Sequence, residues 1–296
     1  MTDRQRGILE MTAAMLISGS IGWFVLASGR PVLEVVFWRC AIGAGALALL
    51  CFALGLYRQR LMRAQVALAI LGGVAIVVNW LLLFGSYAHA SIAVATAVYN
   101  VQPFILLGLG AILFGERITL VKVFWLTLAF VGVLAIVLTK PSAAYLAGGN
   151  YSLGVAMALL ASFGWTVAAI TTKRLRGVPP QLIALIHVVT GTLMLAPMVT
   201  SSNPPNDVTT WTTLATLGIV HTGVMYALMY AAVQRLPTDL QGALSFIYPV
   251  IAIMVDVFAL GTTLQPVQIA GIAAVVLAAA GATLRWGTRA RAASTA

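Results

Sequence analysis

Acidic residues are scarce. The chain has seven Asp and Glu among 296 residues, against seventeen Lys and Arg, and charged residues together make up only 8%. A soluble domain carries about a quarter of its residues charged, so a soluble globular fold is excluded. Long polar stretches are also missing, which leaves no segment for a separate soluble domain. No phosphate-binding loop of the Gly-x-x-x-x-Gly-Lys-Ser/Thr kind occurs, so ATP coupling within this chain is not expected. No cluster of His, Cys, Asp and Glu has metal-ligand spacing, and no nucleophile–base motif stands out. An enzyme, a metal site and a cofactor are therefore not expected. The two cysteines, Cys40 and Cys51, fall in one expected helix. Eleven helical residues set them roughly 16 Å apart, too far for a disulfide, and they read as packing residues.

What is abundant is apolar. Hydrophobic residues make up 61% of the chain, and the mean hydropathy is +1.01. Runs long enough to cross a bilayer recur along the whole sequence. The expected fold is an all-α membrane protein of ten transmembrane helices. The spans fall at about 8–27, 32–54, 64–87, 91–114 and 121–138, then at 151–172, 180–199, 210–233, 240–260 and 266–286. The basic start of the chain leads into the first run with no small-residue cleavage site, so that run reads as a span.

A net charge of +10 would suit nucleic acid, but the cations sit in short loops between apolar runs, and a nucleic-acid partner is not expected. With ten spans both termini share one side. That side collects fourteen of the seventeen Lys and Arg, from Arg4 and Arg6 through Arg58, Arg117, Lys173 and Arg235 to Arg291. Arg30 and Lys140 fall on the other side, and Arg39 lies within a span. The positive-inside rule places both termini in the cytoplasm.

The sequence also repeats. Ser20, Gly22 and Trp23 match Ser162, Gly164 and Trp165, and Arg39 and Gly43 match His187 and Gly191. Leu71-Gly72 matches Leu217-Gly218, Trp80 matches Tyr226, Pro103 matches Pro249, and Gly115 matches Gly261. Two repeats follow, residues 1–146 and 147–296. Five spans is an odd number, so the second copy enters the membrane inverted, an architecture of transporters.

The segment from Ser91 through Gln102-Pro103-Phe104 to Phe114-Gly115-Glu116-Arg117-Ile118-Thr119 resembles the EamA family of the drug/metabolite transporter superfamily, and Phe37-Trp38-Arg39 is similar to that family's second helix. The likeness extends in particular to the aromatic amino-acid exporters of the bacterial inner membrane. It implies ten spans, no enzymatic activity, and export of amino acids by alternating access, with drugs or other small metabolites as the alternative cargo. The second copy departs from the pattern, with Gly261-Thr262-Thr263 where a Gly-Glu pair is expected.

Candidate substrate-binding residues are Asn79, Trp80, Tyr99, Gln102, Trp165, Tyr226, Ser245 and Tyr248. Pro103 and Pro249 lie near mid-span, and each frees the carbonyl four residues earlier, that of Tyr99 or Ser245. Such carbonyls accept from cavity water, from other protein groups or from a substrate ammonium. Ala95, Tyr99 and Gln102, and in the other copy Gln241, Ser245 and Tyr248, share one helical face. That face either lines a cavity or makes helix–helix hydrogen bonds. Trp23 and Trp165 read as interior aromatics, either wall or packing. Arg39 and His187 are assigned to gating with the two prolines. For Arg39 a structural pair with Asp256 and contact with a substrate carboxylate both stand open, and Glu34 is more than a turn away. His187 and His221 could couple transport to protons, or sit neutral and hydrogen-bonded. Glu116 is expected to tie spans four and five together. Partners are then a small solute and the lipid bilayer, and oligomeric state is not legible.

Overall fold

The computed structural model describes residues 1–138, 150–199, 205–260 and 265–287. Among these no strand occurs. The helices are α1 Asp3–Ser18, α2 Ile21–Ala27, α3 Val32–Ala53, α4 Arg63–Tyr99, α5 Gln102–Phe114 and α6 Leu120–Val137. They continue with α7 Tyr151–Arg174, α8 Pro180–Val199, α9 Val208–Gly218, a π-helical turn Ile219–Val224, and α10 Met225–Arg235. The last are α11 Thr238–Ser245, α12 Ile247–Leu260 and α13 Pro266–Leu284. Among the described residues seven helices are long and apolar enough to cross a membrane, and Gln102–Phe114 and Leu120–Ala135 are shorter apolar helices.

Helix ends follow local chemistry. Thr2 and Gln5 form a capping box at α1, and Thr119, Asn150 and Asp207 accept from backbone amides of α6, α7 and α9. Gly115 closes α5 at φ 65°, a left-handed conformation that suits glycine.

The chain doubles back inside α4. A straight helix would hold Asn79 and Tyr99 about 30 Å apart. Instead Asn79 Nδ2 donates to the Tyr99 hydroxyl at 3.3 Å, so α4 reverses direction between them. The expected third and fourth spans thus share one labelled helix. Two expected spans are also interrupted. Span four breaks at Asn100–Val101 and span nine at Phe246. The prolines lie just beyond, Pro103 in the first turn of α5 and Pro249 at the third residue of α12. They therefore start new helices rather than kink continuous ones. The missing amide is harmless in a first turn, and the helices before it end at Tyr99 and Ser245, the residues whose carbonyls the prolines leave free.

α4 packs along α7, and α10 along α1; α4 meets α8, and α9 meets α3; α3 packs on α8, α5 on α11 and α6 on α13. The last pair runs antiparallel: Gly132 faces the backbone and side chains of 271–275, while Trp125 faces Gly281. A Cβ on Gly132 would come within 2.7 Å of the Gly271 carbonyl oxygen, so the small residue sets the helix spacing.

The core is largely apolar, yet it admits Arg39, Asn79 and His187, while Phe52, Ile112 and Leu193 are at least 70% exposed. Large apolar side chains on the outer surface fit a lipid surround.

Candidate functional site

The polar groups buried at mid-chain meet around α4, α7, α10 and the π-helical turn. Asn79 Nδ2 reaches both the Tyr99 hydroxyl and, at 2.7 Å, the Ala161 carbonyl on α7. Gly164 lies against the Asn79 backbone, which brings α7 close enough for that bond. One residue on, Trp80 Nε1 donates to the Tyr226 hydroxyl at 3.0 Å, with the rings edge to face at 5.4 Å. Tyr226 stacks in turn on Tyr230 at 5.2 Å, and the Tyr230 hydroxyl bonds His187 Nδ1 at 2.7 Å. Tyr99 has Tyr248 and Tyr226 as polar neighbours, and Tyr248 hydrogen-bonds the Asn100 side chain.

Arg39 sits in the same cluster. Its guanidinium lies 4.2 Å over the Trp80 ring and 5.9 Å from that of Tyr226. Nε donates to Thr222 Oγ1 at 2.7 Å and Nη2 to the His221 carbonyl at 3.1 Å. Both acceptors belong to the π-helical turn. Wider π-turns present carbonyls sideways and are common at functional sites.

The structure thus brings together Asn79, Trp80, Tyr99, Tyr226 and Tyr248, with Arg39 and His187 beside them. Trp165 is buried in the same hydrophobic core. Other expected residues lie apart from this cluster or bond elsewhere. Ser245 Oγ bonds the Gly242 carbonyl of its own helix. Gln241 Nε2 holds the Val233 and Leu236 carbonyls where α10 turns into α11. Gln102 is buried with its Oε1 unpartnered among the described groups. Pro103 packs against Gly242 of α11.

The placing of Trp23 and the reach of Glu116 need correction. Trp23 is 41% exposed, so it is not an interior aromatic. Glu34, which the spacing already set apart from Arg39, pairs with Arg30, two residues ahead of α3. The Asp256 side chain and the 261–264 segment lie outside the described residues. His221 has the hydrogen-bonded setting that was one of the two alternatives: its ring bonds Ser20 Oγ at 2.8 Å and the Thr216 carbonyl at 3.2 Å. Glu116 ties together more distant elements than expected. It accepts from Lys173 Nζ at the end of α7, and from Thr238 N and Oγ1 at the start of α11, at 2.9 and 2.6 Å. Burial alone would raise its carboxyl, but the hydrogen bonds from Lys173 and Thr238 outweigh this and hold it below the ordinary carboxylate range. Cys40 and Cys51 are buried and unpaired with each other.

Sequence reasoning missed Tyr230 and Thr222. Tyr230 lies one helical turn after Tyr226, on the same face, a spacing that pointed to it. Nothing in the sequence marks the π-helical turn.

A helical bundle with seven membrane-length apolar helices among the described residues and large apolar side chains on its surface is a multi-pass membrane protein. The chain belongs to the EamA-like transporter family, whose model matches residues 5–138 and again 152–284. It is 26% identical over 258 residues to an uncharacterised transporter, YxxF, of Bacillus subtilis (strain 168), covering 86% of this chain and 82% of that one. It is 28% identical over 230 residues to a protein of Salmonella typhimurium described as a probable amino-acid metabolite efflux pump, covering 71% and 74%. A solved crystal structure superposes with a TM-score of 0.80 at 20% identity, over 94% of this chain and 98% of its own. At that identity the likeness concerns the fold alone.

Proposed function

We propose that the protein is a ten-span exporter of amino acids in the bacterial inner membrane, with a broad range that includes aromatic and other apolar ones. Two inverted five-helix halves, 1–146 and 147–296, would expose a central site to each side in turn. The antiparallel packing of α6 on α13 supports inversion, because matched helices run oppositely only when the relating axis lies across them. The charge bias of the loops supports cytoplasmic termini. An all-helical bundle suits the inner membrane, since outer-membrane proteins are closed barrels.

The observation that carries the reading is the contact of Trp80 with Tyr226, matched residues from the two halves, with the Asn79–Tyr99 bond beside it. Substrate would be held there by Asn79, Trp80, Tyr99, Trp165, Tyr226 and Tyr248, with Gln102 and Ser245 at the helix breaks. Pro103 and Pro249, which start the helices beyond those breaks, would act as hinges, with Arg39 and His187 controlling access. Aromatic rings supply an apolar wall and cation–π contact to an ammonium, and the freed carbonyls supply acceptors. The Salmonella relative's description supports an amino-acid cargo. Counterflow of labelled amino acids into proteoliposomes tests the proposal. Uptake above protein-free vesicles is expected, and its absence across apolar and aromatic amino acids would remove the reading.

A further inference from the structure

We propose that Arg39 receives the carboxylate of the transported solute, so that an anionic group, rather than an amine, is the feature the site demands. This rests on the transporter reading above. Arg39 is 1% exposed and stands about 12 Å into α3 from Pro31. Three observations support this role. First, no described carboxylate reaches it. Glu10, Glu34, Glu116 and Asp239 pair with Arg235, Arg30, Lys173 and Lys122. Asp207 caps α9 and Asp3 opens α1. Second, its Nη1 has no hydrogen-bond partner among the described groups, although Nε and Nη2 are both engaged. The fork is therefore fixed in place with one nitrogen left over. Third, the ring under the guanidinium is Trp80, which the Tyr226 hydroxyl holds, so the free nitrogen belongs to the central cluster.

A buried cation without a counter-charge is costly in a membrane interior. An incoming carboxylate supplies both the missing charge and the missing acceptor, through a charge-assisted hydrogen bond to Nη1. No acidic side chain is described in the cluster to reward an ammonium. The amine is left to rings and carbonyl dipoles, which discriminate weakly. A lipophilic amine without a carboxylate would meet Arg39 as a like charge.

The test is competition with phenylalanine counterflow in proteoliposomes. The competitors are phenylpropanoate, which lacks the amine, and phenylalaninamide and phenethylamine, which lack the carboxylate. Phenylpropanoate is expected to compete within about tenfold of phenylalanine, and the other two about tenfold to a hundredfold more weakly. Arg39→Gln should flatten that ranking, with folding checked by its melting curve. The analogue series needs no variant, so a poorly folded R39Q leaves the test intact. Amide or amine competing as well as phenylalanine would overturn the Arg39 assignment and leave the transporter reading standing. Absence of any phenylalanine counterflow would remove both.

Discussion

Trp80 and Tyr226 occupy matched positions in the two copies, and they touch: the indole nitrogen donates to the phenol at 3.0 Å. The bond joins α4 to α10, 146 residues apart in the chain. Tyr226→Phe leaves the indole N–H buried without an acceptor and should cost about 1–3 kcal/mol. Trp80→Phe should cost a similar amount, and the double variant less than the sum. Denaturation of the four proteins in detergent measures this, and strict additivity would show that the bond contributes nothing.

Asn79 spends its amide on two groups, Ala161 and Tyr99, on different elements of the bundle. Asn79→Ala and Tyr99→Ala should each reduce amino-acid counterflow by about tenfold or more, while melting temperature reports whether the bundle is intact. Parental transport rates in two normally melting variants would exclude this part of the cluster from the site.

Glu116 joins the loop after α5 to α7 and α11, and its carboxyl titrates below the ordinary range. A depressed folded pKa contributes stability above the unfolded value, about 4.3, and loses it as pH falls through the folded value. The parent protein should out-melt Glu116→Gln at neutral pH, and the gap should narrow as pH drops below about 4. A gap independent of pH would assign the glutamate's role to packing.

Orientation is open to direct labelling. A cysteine at Arg60 or Arg176 should be shielded from an impermeant thiol reagent in intact cells, and one at Ser202 should react. The native Cys40 and Cys51 are buried, so background labelling should be low. The reverse pattern would invert the topology.

The class of protein was legible in the sequence because it depends on sums and spacings. Few charges and long apolar runs, with Lys and Arg gathered mostly in short loops between them, define a polytopic membrane protein wherever its helices pack. The repeat was legible because duplication leaves matched residues in order, among them Trp80 with Tyr226 and Pro103 with Pro249. The proline positions did not show that helices would end at Tyr99 and Ser245.

Only the tertiary structure decided which polar groups are already satisfied. Gln241 and Ser245 lie on the same expected face as Tyr248, yet their hydrogen bonds are made to nearby backbone. Glu116 found its partners 57 and 122 residues away. Arg39 found its own 182 and 183 residues away, on a π-helical turn with no local signature. A buried polar group must be paired, and spacing along the chain says that a partner is needed. Which partner it finds, and which nitrogen is left without one, depends on how distant helices approach each other.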